Sequence, residues 1–205
     1  MTRVEVFADI LCPFTHVGLR RLVAARADRC ASTSIVIRAW PLEWINGAPI
    51  DAQRAARGIE ALERCVAPEL FAGFNPENFP RTSIPAFGLA AVAYEAGASI
   101  GEAVSLRIRD ALFEEGRDIS NDAELRAIGA EFGVEPVTRA IARTFAGRDW
   151  DRGRARDVQG SPHFFADGHS WFCPSLSISK SEDEYDVTLD ESGQRDFYSV
   201  ALDSA

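Results

Sequence analysis

The residues with the greatest capacity for chemistry lie close to the N-terminus, in the run Cys12-Pro13-Phe14-Thr15-His16. A thiol directly after a strand and at the start of a helix faces free backbone N–H groups and the positive end of the helix dipole, and both favour the thiolate, the form that attacks. Thr15 stands at i+3, where a hydroxyl could donate to that sulfur. His16 stands at i+4 on the same face. Protonated, it would lower the thiol pKa further; neutral, it could shuttle a proton. Asp9 precedes the run, and burial there would raise its pKa and suit it to accept a proton. The competing reading makes Cys12 an inert core cysteine, His16 a solvated helix residue and Asp9 an ordinary strand-end carboxylate. The spacing is that of a C-x-x-C pair with Thr15 in place of the second cysteine. A mixed disulfide on Cys12 therefore cannot be resolved within the motif.

The elements needed to position these residues are legible. Val4, Val6 and Ala8 alternate with Glu5, Phe7 and Asp9 over residues 3–9, which predicts a strand. Pro13 suits a first helical turn, and Leu19, Leu22 and Val23 supply the apolar side of that helix, with Arg20 and Arg21 opposite. The β-branched SIVIRAW, 34–40, predicts a second strand, parallel to the first through a right-handed βαβ crossover. PLEWINGAP reads as a turn-rich exit. Helices are expected over 51–64, 84–97, 100–116, 121–132, 135–146 and 149–157, the fourth capped by Asn121 or Ser120 with Glu124 completing a capping box. FAGFNPENFPRTSIP reads as loop. HFFADGHSWF folds back around Asp167-Gly168 as a hairpin. KSEDEYDVTLDESG reads as an acidic surface connection, and DESGQRDFYSVAL as a final helix capped by Asp190 or Ser192.

The 205 residues carry a net charge of −9 and 46% hydrophobic content, which fits a globular chain and argues against a nucleic-acid or anionic-membrane surface. No run approaches a membrane span. The N-terminus MTRVEVFADI lacks a basic region followed by an apolar one and enters a strand at once, so a cytoplasmic location is expected. Cys12, Cys30, Cys65 and Cys173 are widely spaced, with no metal-binding pattern, and are expected as free thiols. Cys30 and Cys65 are expected in the core or near helix ends. Phe14, Phe87 and Trp44 are candidates to line an apolar groove over Cys12.

Taken together, DILCPFTHVGLRRL, IRAWPLEW, TSIPAFGLAAVAYEAG, SLRIRDALFEEGRDISNDAELRAIGAEFGV and GSPHFFADG resemble the DsbA family of thioredoxin-fold thiol–disulfide oxidoreductases, most of all its cytoplasmic FrnE-like branch. The likeness covers roughly residues 3–173. It implies an α/β, thioredoxin-like fold with a large all-helical insertion: residues 1–48 and 158–205 as the thioredoxin-like domain, 49–157 as the inserted subdomain. It also implies a cis Pro162 whose preceding residue, Ser161, pairs with the substrate chain, so that Pro13, Phe14, Ser161 and Pro162 form the substrate-binding surface. Cys173, after the hairpin, would lie near the cis-proline as a candidate resolving thiol, against a plainer role as a packed residue at a strand end.

The function expected from the resemblance is a DsbA-like oxidoreductase in monothiol form, with Cys12 as nucleophile and Thr15 and His16 as its catalytic partners. It would act on a protein or small-molecule thiol or disulfide, with no tightly bound cofactor and a low-molecular-weight thiol such as glutathione as co-substrate. Two alternatives stand beside it. One is a thiol-dependent transferase or isomerase acting on a small aromatic molecule, similar to kappa-class glutathione transferases or 2-hydroxychromene-2-carboxylate isomerases, although these carry Ser at the position of Cys12. The other is a redox-silent binding protein. No nucleic-acid, membrane or metal partner is expected; an exposed apolar helix of the insertion could build a homodimer.

Overall fold

The structure, a computed structural model, describes residues 2–181 and 184–203. The alternating N-terminal stretch forms β1 (Arg3–Ala8), followed by α1 (Pro13–Asp28) and β2 (Ser34–Ala39). β2 pairs parallel to β1, in a register running from Arg3 opposite Ser34 to Ala8 opposite Ala39. The chain then stays helical through α2 (Leu42–Asn46), α3 (Ala52–Cys65), α4 (Ile84–Ala96), α5 (Ala98–Phe113), α6 (Asp122–Glu131) and α7 (Arg139–Arg154). It returns as β3 (His163–Ala166) and β4 (His169–Phe172), with β3 antiparallel to β1, so one sheet of order β2-β1-β3-β4 joins the two ends of the sequence. The turn between them places Asp167 at φ 46° and Gly168 at φ 79°, the left-handed pair that a two-residue hairpin needs.

The pleat gives the sheet two faces. Val4, Val6, Ala8, Ile35, Ile37 and Phe164 pack under Leu19 and Leu22 of α1 and under Phe197, Tyr198 and Ala201 of the last helix, α8 (Glu191–Ala201). Phe7, Trp40 and Phe165 form the opposite layer, with Trp150 of α7 packed against them. Asp190 caps α8 by accepting from the Gly193 N–H. Asn121 likewise caps α6, accepting from the Ala123 N–H.

Four local expectations are corrected. The helices expected at 135–146 and 149–157 are one helix, because Ala142, Ala146 and Gly153 continue a single buried small-residue face and Gly147 does not interrupt it. The capping box at α6 does not close: the Asn121 N–H donates to the Asp118 carbonyl, and Glu124 pairs with Arg117 at 2.5 Å instead. The exit after β2 is ordered as α2. The acidic connection contains a strand, β6 (Tyr185–Leu189), antiparallel to β5 (Leu176–Lys180), because Tyr185 and Val187 alternate inward among the acidic residues. Glu182 and Asp183 of that stretch lie outside the described residues.

β2 is an edge strand, and its outward N–H groups are all taken by side chains from the helices. Ile35 donates to Glu102 of α5 at 3.1 Å, Ile37 to the Tyr94 hydroxyl of α4 at 2.8 Å and Ala39 to Asp149 of α7 at 3.0 Å. An edge saturated in this way cannot template another strand. Tyr94→Phe removes the middle partner and is expected to lower stability by about 1 kcal/mol, read as a shift in urea midpoint at unchanged slope; an unchanged midpoint would show that solvent replaces the hydroxyl without cost.

Candidate active site

β1 ends at Ala8, and Asp9, Ile10 and Leu11 turn the chain into α1. Cys12 is the N-cap residue of that helix and Pro13 opens its first turn. The turn is held by the Asp9 carboxylate, which accepts from the Leu11 N–H at 2.9 Å and from the Leu42 N–H at 2.6 Å. One buried side chain thereby fixes both the approach to Cys12 and the exit from β2.

Ser161 reaches the same point from the far end of the chain. Its hydroxyl accepts from the Asp9 N–H at 2.8 Å and lies 2.8 Å from the Thr15 hydroxyl, while its carbonyl accepts from the Cys12 S–H at 3.4 Å. The peptide bond from Ser161 to Pro162 is cis. Gly18 of α1 faces this segment, and a Cβ there would sit in ordinary contact with Pro162 and Phe164, at 3.7–3.9 Å. Cys173 closes the site, donating its N–H to the Pro162 carbonyl at 3.0 Å. Cys12, Thr15, Ser161, Pro162 and Cys173 are therefore brought together.

His16 and Phe14 look elsewhere. The His16 ring is 1% exposed and stacks obliquely on Phe71 and Phe113; its Nε2 meets Glu114 at 2.6 Å. Burial lowers its pKa, against the pull of Glu114, so at neutral pH it is a neutral donor to a carboxylate. Burial pushes Glu114 up, but hydrogen bonds from His16 and from the Phe71 and Ala72 N–H groups outweigh it and hold Glu114 ionised. Phe14 reaches Tyr185 of β6, with ring centroids 5.5 Å apart. Trp44 packs edge-on against Trp150, and Phe87 lines a cleft between β2, α4 and α7; Phe14, Trp44 and Phe87 all pack in one apolar cluster with Ile10, Leu11 and Cys173. Cys30 and Cys65 are exposed; Cys30 lies just past the end of α1, and Cys65 is the last residue of α3.

The electrostatics reverse one expectation. Cys12 is 4% exposed, and burial pushes its thiol above the ordinary value; Thr15 and Ser161 pull it back, and the Asp9 charge pushes it up again. Desolvation thus outweighs the helix N-terminus. Burial also pushes Asp9 up to about 6, opposed by the Leu11 and Leu42 N–H groups and by Arg109. Arg109 is the residue that sequence reasoning missed. It is 1% exposed, donates to the carbonyls of Ser105 at 3.2 Å and Asp9 at 3.3 Å, and its Nε finds no partner among the described residues. Burial lowers its pKa to about 10, while Asp9 and Cys12 favour its charge. Its signal was present: Arg109 falls among Ser105, Ile108 and Leu112 on the buried face of α5, where an unpaired cation is out of place.

Residues 3–186 match the DSBA-like thioredoxin domain. The chain belongs to that family. No curated protein matches it. Among solved structures, it is similar to the cytosolic disulfide reductase DsbM of Pseudomonas aeruginosa with GSH, at 16% identity and a TM-score of 0.60, covering 94% of this chain and 91% of that one. It is similar to a probable DsbA oxidoreductase of Streptomyces coelicolor, at 18% identity and a TM-score of 0.59, covering 83% of each chain. A 2-hydroxychromene-2-carboxylate isomerase matches at 15% identity and a TM-score of 0.55, covering 83% of this chain and 88% of that one. At these identities the likenesses show the fold, and it is the expected one: α/β and thioredoxin-like, with helices between the two halves of the sheet. Among the described residues no helix is long and apolar enough to cross a membrane, and no cluster of His, Cys, Asp and Glu could hold a metal ion.

Two predictions follow from the buried charges. Asp9 has a folded pKa of about 6, above the ordinary value of 3.8 for its carboxyl. The folded chain therefore holds this proton more tightly, and the stability it contributes is full below 3.8 and lost as pH rises through about 6. Urea unfolding of the wild type and of Asp9→Asn between pH 4 and 7 should diverge across that window by on the order of 3 kcal/mol, the wild type losing ground as pH rises; parallel curves would refute the shift. Arg109→Met should move alkylation of Cys12 to higher pH, while Arg109→Lys, which keeps the charge, stays near the wild type. Equal profiles in all three proteins would mean that Arg109 only packs.

Proposed function

We propose that this protein is a thiol–disulfide oxidoreductase of the cytoplasmic, FrnE-like branch of its family, in which Cys12 is the sole nucleophile of the motif. The observation that carries this reading is the position of the Cys12 sulfur, 3.4 Å from the Ser161 carbonyl beside Pro162, with the Thr15 hydroxyl tied to Ser161 at i+3. A thiol in that place meets an incoming disulfide where the substrate chain would lie along Ser161 and Pro162; Pro13 is buried and Phe14 is occupied by Tyr185, so neither faces that chain.

The thiol must first lose its proton. Asp9 is the nearest described group with the properties to accept it: a buried carboxyl with a pKa of about 6, within range of the Cys12 charge. The transfer leaves the net charge of the site unchanged, with Arg109 positive throughout, so a buried thiol can ionise without adding a charge to a dry environment. The thiolate attacks one sulfur of the substrate disulfide, a mixed disulfide forms on Cys12, and the other half leaves as a thiolate. His16, held neutral by Glu114, positions α1 against α5 and takes no part in the transfer. Thr15 supplies a hydrogen bond to the sulfur and no second thiol, so release falls to a thiol outside the motif, with glutathione as the small-thiol co-substrate. The isomerase and transferase readings are supported by likeness of fold alone.

The direct test is exposure of the reduced protein, with the exposed Cys30 and Cys65 replaced by Ser, to glutathione disulfide, with the glutathione liberated in the first turnover counted against protein. At least one equivalent per chain where Cys12 is present, and none in Cys12→Ser, is expected. Liberation that survives in Cys12→Ser, or that is absent from both proteins, would overturn the assignment.

A further inference from the structure

We infer that Cys173 is the thiol that releases substrate from Cys12, closing a Cys12–Cys173 disulfide across the Ser161–Pro162 peptide. This rests on the oxidoreductase reading of Cys12 and supplies the step that Thr15 cannot perform.

Three observations converge on the pair. Cys12 and Cys173 grip adjacent carbonyls of one dipeptide: the Cys12 sulfur meets the Ser161 carbonyl at 3.4 Å, and the Cys173 N–H meets the Pro162 carbonyl at 3.0 Å. They are also the two buried cysteines of the four, whereas Cys30 and Cys65 are exposed. Finally, Cys173 sits at φ 50°, a left-handed conformation that side-chain-bearing residues other than Asn and Asp seldom adopt. A residue held there by its neighbours presents its side chain in a direction that the regular strand before it would not allow.

The chemistry balances and has a fixed order. The Cys12 thiolate attacks a substrate disulfide RS–SR′, forming Cys12–S–S–R and releasing R′S⁻. The Cys173 thiolate then attacks the Cys12 sulfur, RS⁻ leaves, and the two protons lost by the cysteines end on the two released thiols. Two electrons pass from the cysteine pair to the substrate, and two molecules of a low-molecular-weight thiol of the glutathione class return the pair to its reduced state, leaving as their disulfide. Cys173 cannot act first: burial, joined by a charged Cys12, pushes its pKa up to about 12. Once Cys12 is in a mixed disulfide its charge is gone, and that second obstacle disappears. The remaining burial keeps the resolving thiolate scarce, so release should quicken about tenfold per pH unit across the neutral and mildly alkaline range.

The test compares the wild type with Cys173→Ala and with Cys173→Gly, the latter suited to the left-handed backbone, so that folding can be matched by circular dichroism. Each reduced protein is treated with glutathione disulfide, quenched with acid at intervals and examined by intact mass and peptide mapping. The expected result is transient glutathionylation of wild-type Cys12, giving way to a species two hydrogens lighter whose cross-linked peptide joins residues 12 and 173. Both variants should stay glutathionylated on Cys12. A wild type that retains the adduct as long as the variants overturns the role of Cys173 and leaves the nucleophile assignment standing. Failure of every protein to react at Cys12 overturns the assignment on which the inference rests. A wild-type disulfide that maps to Cys30 or Cys65 overturns the inference by naming another partner.

Discussion

The site depends on one hydroxyl. Ser161 Oγ accepts from the backbone of Asp9 and bonds the side chain of Thr15, residues 152 and 146 positions away in the sequence. It joins the end of β1, the first turn of α1 and the segment before β3 at a single atom, and the carbonyl of the same residue holds the Cys12 thiol. That hydroxyl accepts from Asp9, and either it or the Thr15 hydroxyl donates in the bond between them; where Ser161 donates, the Thr15 proton is free to point at the sulfur. These bonds converge on the turn that carries Cys12, and they are set by a residue whose Gly-Ser-Pro context marks it as part of the site only through the family resemblance.

Beneath that hub the charges are few and dry. Asp9 and Arg109 are both 1% exposed. Neither gains from solvent, so each is governed by the other and by the state of Cys12. A buried thiolate standing alone would be costly; one that forms as Asp9 takes a proton, beside a permanent cation, changes only where the negative charge sits. The helix N-terminus, which sequence reasoning credits with activating the thiol, is present but outweighed by desolvation, because Cys12 has little water around it.

The fold was legible where the signal is local or repeats along the chain: the alternation that makes β1, the Asp167-Gly168 turn, the Asp190 cap. It was obscured where neighbours decide. Nothing around Gly147 announces that α7 continues through it; the continuity comes from Ala142 and Ala146 packing against α4, where a Cβ on Gly88 would lie 2.5 Å from that of Ala142. β6 was hidden by the acidic residues that flank it and by Asp186 within it, which points outward. In the site, the motif residues could be read because they are contiguous. Glu114 and Arg109 could not be paired with His16 and Asp9, because those contacts join α5 to β1 and α1 across 98 and 100 residues.

These contacts also show what the helices do. α4, α5 and α7 saturate the β2 edge, and α5 in addition sends Arg109 under Cys12 and Glu114 onto His16. The helical segment completes the sheet and carries the charges of the site, so the two cannot vary independently. The same reasoning bears on Thr15. A cysteine there would supply a second thiol, but a thiol is a weak donor and a weak acceptor. It would give up the bond that fixes Ser161, and with it the alignment of Asp9 and Cys12. Position 15 can anchor the hub or carry a second thiol, and Thr15 does the first.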